Sequence, residues 1–77
     1  MNHGLRILLE GEGFRQVGTS CEFNLRHEVS ELKSYLFRVW LHRHGGQAEV
    51  CQGMKRIARM EQWNSLDDLK EFLKEFR

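Results

Sequence analysis

The stretch Ser34–Val50, "SYLFRVWLHRHGGQAEV", decides the fold, because it reads either as a helix stopped by its glycine pair or as two strands folded back at that pair. As a helix, Leu32, Tyr35, Leu36, Val39 and Trp40 fall on one stripe and Gly45 ends it. As a strand, Tyr35, Phe37, Val39 and Leu41 share one face, and Leu36, Arg38, Trp40 and His42 share the other. Composition favours the strand: five of the eight residues from Tyr35 to His42 are aromatic, β-branched or histidine, which suit a pleated surface better than a helix centre. "HGGQ" then reads as a two-residue hairpin turn whose glycines supply positive φ angles. With Gly45-Gly46 as the loop, Arg43 faces Ala48, His42 faces Glu49, Leu41 faces Val50 and Trp40 faces Cys51. Phe37, Val39, Leu41, Ala48 and Val50 form the face expected to enter the core.

The flanks agree with a sheet. In "CEFNLRHEV", Cys21, Phe23, Leu25, His27 and Val29 alternate with Glu22, Asn24, Arg26 and Glu28, the cleanest period-two run in the chain. Upstream, "LRILLEGEGFRQVG" has two short apolar runs about Gly11 and Gly13, which suggest a first hairpin. Downstream, "SLDDLKEFLKEFR" places Leu66, Leu69, Phe72, Leu73 and Phe76 on one helical stripe, with Ser65 as N-cap and Asp67 and Asp68 in the positive first turn. The segment Met54–Gln62 is open to both readings; strand is preferred because Gly53 interrupts the helical one. As a strand it sets Ile57 and Trp63 on one face, and Ala58 and Met60 on the other.

These elements add up to one small α+β domain spanning residues 1–77: an antiparallel sheet of three to five strands with a C-terminal helix packed across it. A chain of this length buries only about 60% of its unfolded surface, so its core is marginal without help. Two cysteines, Cys21 and Cys51, are too few for a disulfide-stapled secreted miniprotein, and "ILL" is far short of a signal or spanning segment. The expectation is a cytoplasmic protein with reduced thiols and no membrane partner.

The order "SYLFRVW", a hairpin, then "WNSLDDLKEFL" is similar to a group of small uncharacterised bacterial proteins with an S-Y-L-x-R-x-W strand and a closing S-L-x-x-L-x-x-F-L helix. Ser34, Tyr35, Leu36, Arg38 and Trp40 match the first motif, and Ser65, Leu66, Leu69, Phe72 and Leu73 match the second. The likeness runs from about Ser34 to Leu73, and Met54–Gln62 is longer here than in that pattern. The resemblance implies an architecture and carries no activity.

Chemistry is thinly signalled. His42 and His44 stand two apart with Cys51 on the partner strand, but no C-x-x-C or H-x-x-x-H accompanies them, and no metal is expected. Glu10 and Glu12 flank Gly11 on what reads as a solvated turn, without the apolar pocket that splits an acid–base pair. "GEGF" lacks the lysine and hydroxyl residue of a phosphate loop. Ser20 and Cys21 have no adjacent base, and His27 reads as a core-edge residue. No catalytic residue, cofactor or small-molecule substrate is expected, and the chain reads as non-enzymatic.

Two interaction surfaces remain. The first is apolar: if the C-terminal helix covers the face with Phe37, Val39 and Leu41, then Leu36, Arg38 and Trp40 on the other face are the expected anchors for a protein partner or a homodimer. The second is a nucleic-acid surface. The chain's net charge is only +1, yet Met54–Met60 carries three bases and no acid. Lys55, Arg56 and Arg59, with Lys33, Arg38, Arg43, Tyr35 and Trp40 nearby, offer bases to phosphates and rings to nucleobases.

Overall fold

The computed structural model describes residues 3–77. In chain order it contains α1 (His3–Gly11), β1 (Arg15–Gln16), β2 (Glu22–Ser30), β3 (Lys33–His42), β4 (Gly45–Gln52), β5 (Lys55–Trp63), α2 (Leu66–Leu73) and a closing 3-10 turn, Lys74–Phe76. The five strands form one antiparallel meander in the order of the sequence, making the chain an α+β fold.

The Ser34–Val50 stretch is a hairpin, but its turn is not the glycine pair. His42 is opposite Gly45, Leu41 opposite Gly46, Trp40 opposite Gln47, Arg38 opposite Glu49 and Leu36 opposite Cys51, so Arg43 and His44 make the turn. Each expected partner is therefore displaced by four positions. Both glycines are needed inside the strand for close approach. A Cβ on Gly45 would stand 1.8 Å from the carbonyl oxygen of Trp63, and one on Gly46 would stand 1.8 Å from that of Trp40. Gly45 also takes the positive φ, 101°, while Arg43 and His44 keep negative values, as in a turn followed by a glycine bulge. An even displacement preserves which side each residue faces. Phe37, Val39, Leu41, Ala48 and Val50 are accordingly all buried on one face, as the alternation predicts.

The expected N-terminal hairpin is replaced by α1. Leu5 and Leu9 lie one helical turn apart and meet the core, and Arg6 Nε donates to Glu10 Oε1 at 2.8 Å across another turn. The backbone N–H of Phe14 donates to the carbonyl of Leu9, and Gly13 turns the chain at φ 103° toward the two-residue β1. Glycines read as hairpin signals are thus the stop of a helix.

The segment Lys55–Trp63 is a strand, with two irregularities in its pairing to β4. They change the faces from simple alternation. Ala58, Met60 and Trp63 all meet the core, whereas Ile57, expected beside Trp63, is exposed. Trp63 is fully buried, and its Nε1 donates to the carbonyl of Gln47 at 2.9 Å.

α2 begins as its sequence dictates. The Ser65 hydroxyl accepts from the N–H of Asp68 at 3.2 Å, and Asp68 Oδ2 accepts from the N–H of Asn64 at 3.1 Å. Its inner stripe buries Leu69 and Leu73, while Phe76 meets Tyr35 edge-on at 5.4 Å. Lys70 reaches Glu12 at 3.0 Å, tying α2 to the segment after α1. Leu9, Leu69 and Leu73 join one core cluster with Phe23, Phe37 and Val39, so both helices pack on the same side of the sheet. Neither helix is long and apolar enough to cross a membrane.

Candidate functional site

The side of the sheet away from the helices is built from the alternate residues of β2 to β5. Arg38 occupies its middle. Its Nε and Nη2 donate to the two carboxylate oxygens of Glu22, at 3.0 and 3.2 Å, and Nη1 donates to Glu49 Oε1 at 2.9 Å. The register explains both contacts: Glu49 lies directly across on β4, and Glu22 lies one diagonal away on β2. The guanidinium also rests 4.9 Å from the centre of the Trp40 ring, within cation–π range. Planar, forked and permanently charged, an arginine can serve two carboxylates and a ring together, which a lysine cannot.

Glu49 is nearly buried although it is on this open side, since Arg38, Arg56 and Cys51 crowd around it. Arg56 Nη1 stands 3.7 Å from Glu49 Oε2, and the Cys51 thiol donates to Glu49 Oε1 at 3.6 Å. The electrostatics follow from these contacts. The hydrogen bonds from Arg38 hold the Glu22 carboxyl below its ordinary range against the opposing effect of burial. Glu22 in turn raises Arg38. Burial, followed by the nearby Glu49 charge, pushes the Cys51 thiol up and favours its protonated form.

Of the expected anchors, Leu36, Arg38 and Trp40 do lie together here, each half-buried. Tyr35 does not join them; it is buried on the helix side, two rings along from His27, which stacks on Phe37 at 5.8 Å. Arg56 and Arg59 are on the open side toward the sheet edge, opposite Cys51 and Glu49 respectively, and Lys55 starts the strand opposite Gln52. Arg59 Nε is 3.4 Å from Glu61 Oε1, so two of these three bases already face acids.

The other candidates are dispersed. His42 closes β3 opposite Gly45 and His44 lies in the turn, while Cys51 is opposite Leu36, six residues back along β3 or about 20 Å. Among the described residues no group of three His, Cys, Asp or Glu side chains is placed to hold a metal. Glu10 pairs with Arg6 and Glu12 with Lys70, so the two carboxylates do not form a couple. An open hollow of about 360 Å³ between α1 and β1, lined by Arg6, Glu10, Phe14 and Gln16, was not foreseen from the sequence; no motif marks it.

What the sequence reading missed was Glu22 and Glu49 as partners of Arg38. Alternation already put Glu22 on the same side, but Glu49 needed the correct register. No protein-family model, curated protein or solved structure matches the chain.

Proposed function

We propose that the chain is a small non-enzymatic interaction module that associates, with a second copy of itself as the favoured partner, through the open sheet face around Leu36, Arg38 and Trp40. The observation that carries this reading is the one-sidedness of the sheet: both helices pack on the face of Phe37 and Val39. On the other face Trp40, Leu36 and the aliphatic part of Arg38 are only half-buried.

Two features favour a second copy. Arg26, Arg38, Arg56 and Arg59 on this face are matched in number by Glu22, Glu28, Glu49 and Glu61, so it does not repel itself. Four long strands, about 4.8 Å apart and about 30 Å long, present on the order of 600 Å². That is somewhat less than the roughly 800 Å² per partner of a standard interface, the size of a reversible contact. The free thiols Cys21 and Cys51 fit a reducing, cytoplasmic setting for such a module.

Nucleic acid held by Lys55, Arg56 and Arg59 has less support, because the ion pairs of Arg56 and Arg59 must first be broken to free charge for phosphates. Sedimentation velocity over a wide concentration range tests the favoured reading. A monomer–dimer equilibrium abolished by Trp40→Ser, with circular dichroism unchanged, is the expected result. A strictly monomeric protein at high concentration sinks it, and salt-sensitive binding of a labelled oligonucleotide in its place would favour the basic segment.

A further inference from the structure

The two ends of the sheet differ in a way folding does not explain. At one end the β3–β4 turn is polar, Arg43-His44. At the other end lie both remaining long hairpins, with the two-residue turns Glu31-Leu32 and Gly53-Met54. In each, the second turn residue is a large apolar side chain followed at once by lysine: Leu32-Lys33 and Met54-Lys55. Leu32 is 99% exposed and Met54 107%, as open as in an isolated chain, so neither contributes packing. Val29 and Ile57, exposed by 52% and 39%, stand just behind them. A hairpin tip is where polar turn formers are favoured. Two tips that break that rule in the same way, at the same end, call for an explanation outside the fold.

We infer that this end of the sheet is a peripheral membrane-docking surface, in which Leu32 and Met54 dip into the interface of an anionic bilayer. The tips belong to the β2–β3 and β4–β5 hairpins, so they stand two strand spacings apart, about 10 Å. Separate projecting side chains at that distance make a poor continuous patch for a folded protein, but each enters a deformable apolar medium independently. The charges agree. Lys33 and Lys55 directly follow the two apolar tips and, with Arg56, exceed Glu28 and Glu31 by one at this end. Arg56 is partly engaged by Glu49 at 3.7 Å, leaving Lys33 and Lys55 beside the tips as the principal headgroup contacts. Lys33 lies 5.4 Å from the centre of the Tyr35 ring, which keeps its ammonium near the sheet end. That neither helix is long and apolar enough to cross a membrane does not oppose this inference, because shallow insertion needs only side chains at the interfacial depth. The inference does not depend on the open-face association, whose anchors Leu36, Arg38 and Trp40 take no part in it.

The test is co-sedimentation of the full chain with phosphatidylcholine vesicles, with and without phosphatidylserine, at low and physiological salt. Wild type is expected to bind the phosphatidylserine vesicles and only weakly the neutral ones. The double variant Leu32→Ser, Met54→Ser is expected to lose binding at least about tenfold, roughly what burying one such side chain is worth. Both positions are exposed, so the variant should fold as wild type does, and circular dichroism checks that. Lys33→Gln with Lys55→Gln should weaken binding most at low salt. Absence of wild-type binding, equal binding to neutral vesicles, or binding untouched by the double serine variant would each overturn the inference. Loss of self-association in that variant without any vesicle binding would overturn it too, in favour of a protein contact.

Discussion

The carbonyl oxygen of Trp63 lies where a side chain on Gly45 would have to be: the Cβ would stand 1.8 Å away. The end of β5 is thereby pressed against the start of β4, at the point where the chain leaves the sheet for α2. Gly45→Ala must push these backbones apart, and the positive φ of Gly45 adds strain. We expect it to destabilise the fold by about 3 kcal/mol or more, the upper part of the range for overpacking. Gly46→Ala should be similar, since the obstacle is the Trp40 carbonyl. Urea unfolding followed by fluorescence reads both; a loss under about 1 kcal/mol would mean that the backbones separate easily.

The same glycines show why part of the fold was legible in the sequence and part was not. Alternation in Tyr35–Leu41 and Cys21–Val29 fixes which side chains face the core, because that signal is local. The register is not local. It depends on how near Trp63 and Trp40 come to the glycines, and nothing in "HGGQ" carries that information. Gly-Gly serves both a turn and a close approach; the turn is its commoner use, and it implies pairs displaced by four from those observed. The faces survived since the displacement is even. α1 was missed for a related reason: nine residues with one fully buried leucine give a weak helical period, and two nearby glycines looked like turn signals. In the candidate site, Leu36, Arg38 and Trp40 were legible by alternation, whereas the Glu49 partner of Arg38 required the register that the sequence left ambiguous.

Removal of the cap on α2 gives a second prediction. Ser65 satisfies the N–H of Asp68 at 3.2 Å, and a helix of eight residues has little stability of its own. Ser65→Ala should cost about 1 kcal/mol, and Ser65→Asp should restore most of it. Because Leu69 and Leu73 tie the helix to the core, the loss should appear in global unfolding rather than as local fraying. Hydrogen exchange separates the two: faster exchange confined to the first turn, with unchanged global stability, would disprove the coupling.

Cys51 and its surroundings give a third. Burial and the Glu49 carboxylate favour the neutral thiol, and the thiolate is the form that alkylates. At neutral pH Cys51 should therefore react with iodoacetamide several-fold more slowly than free cysteine, about in proportion to its smaller thiolate fraction. Glu49→Gln should accelerate it, by removing the negative charge at 3.6 Å. Peptide mapping after timed alkylation measures the rate at this site, and a wild-type rate equal to that of free cysteine would refute the argument.

The Arg38–Glu22 pair makes acid stability predictable in sign. Glu22 has its folded pKa lowered, chiefly by hydrogen bonds from Arg38, so the unfolded chain binds a proton more readily than the folded one. The contribution is then fully present above the unfolded pKa of an ordinary glutamate, and is lost as pH falls through the lowered folded value. Stability should decline on acidification from neutral pH into that window. Glu22→Gln should be less stable at neutral pH and should show a shallower decline, so that the two curves converge in acid. The Arg38 side chain is 35% exposed, and solvent screening keeps the difference modest. Arg38→Gln should do more harm than Glu22→Gln, because it leaves the nearly buried Glu49 with only the Cys51 thiol at 3.6 Å and the longer contact to Arg56 at 3.7 Å. Urea midpoints measured at a series of pH values decide it: parallel curves for wild type and Glu22→Gln would show that the pair contributes no proton linkage.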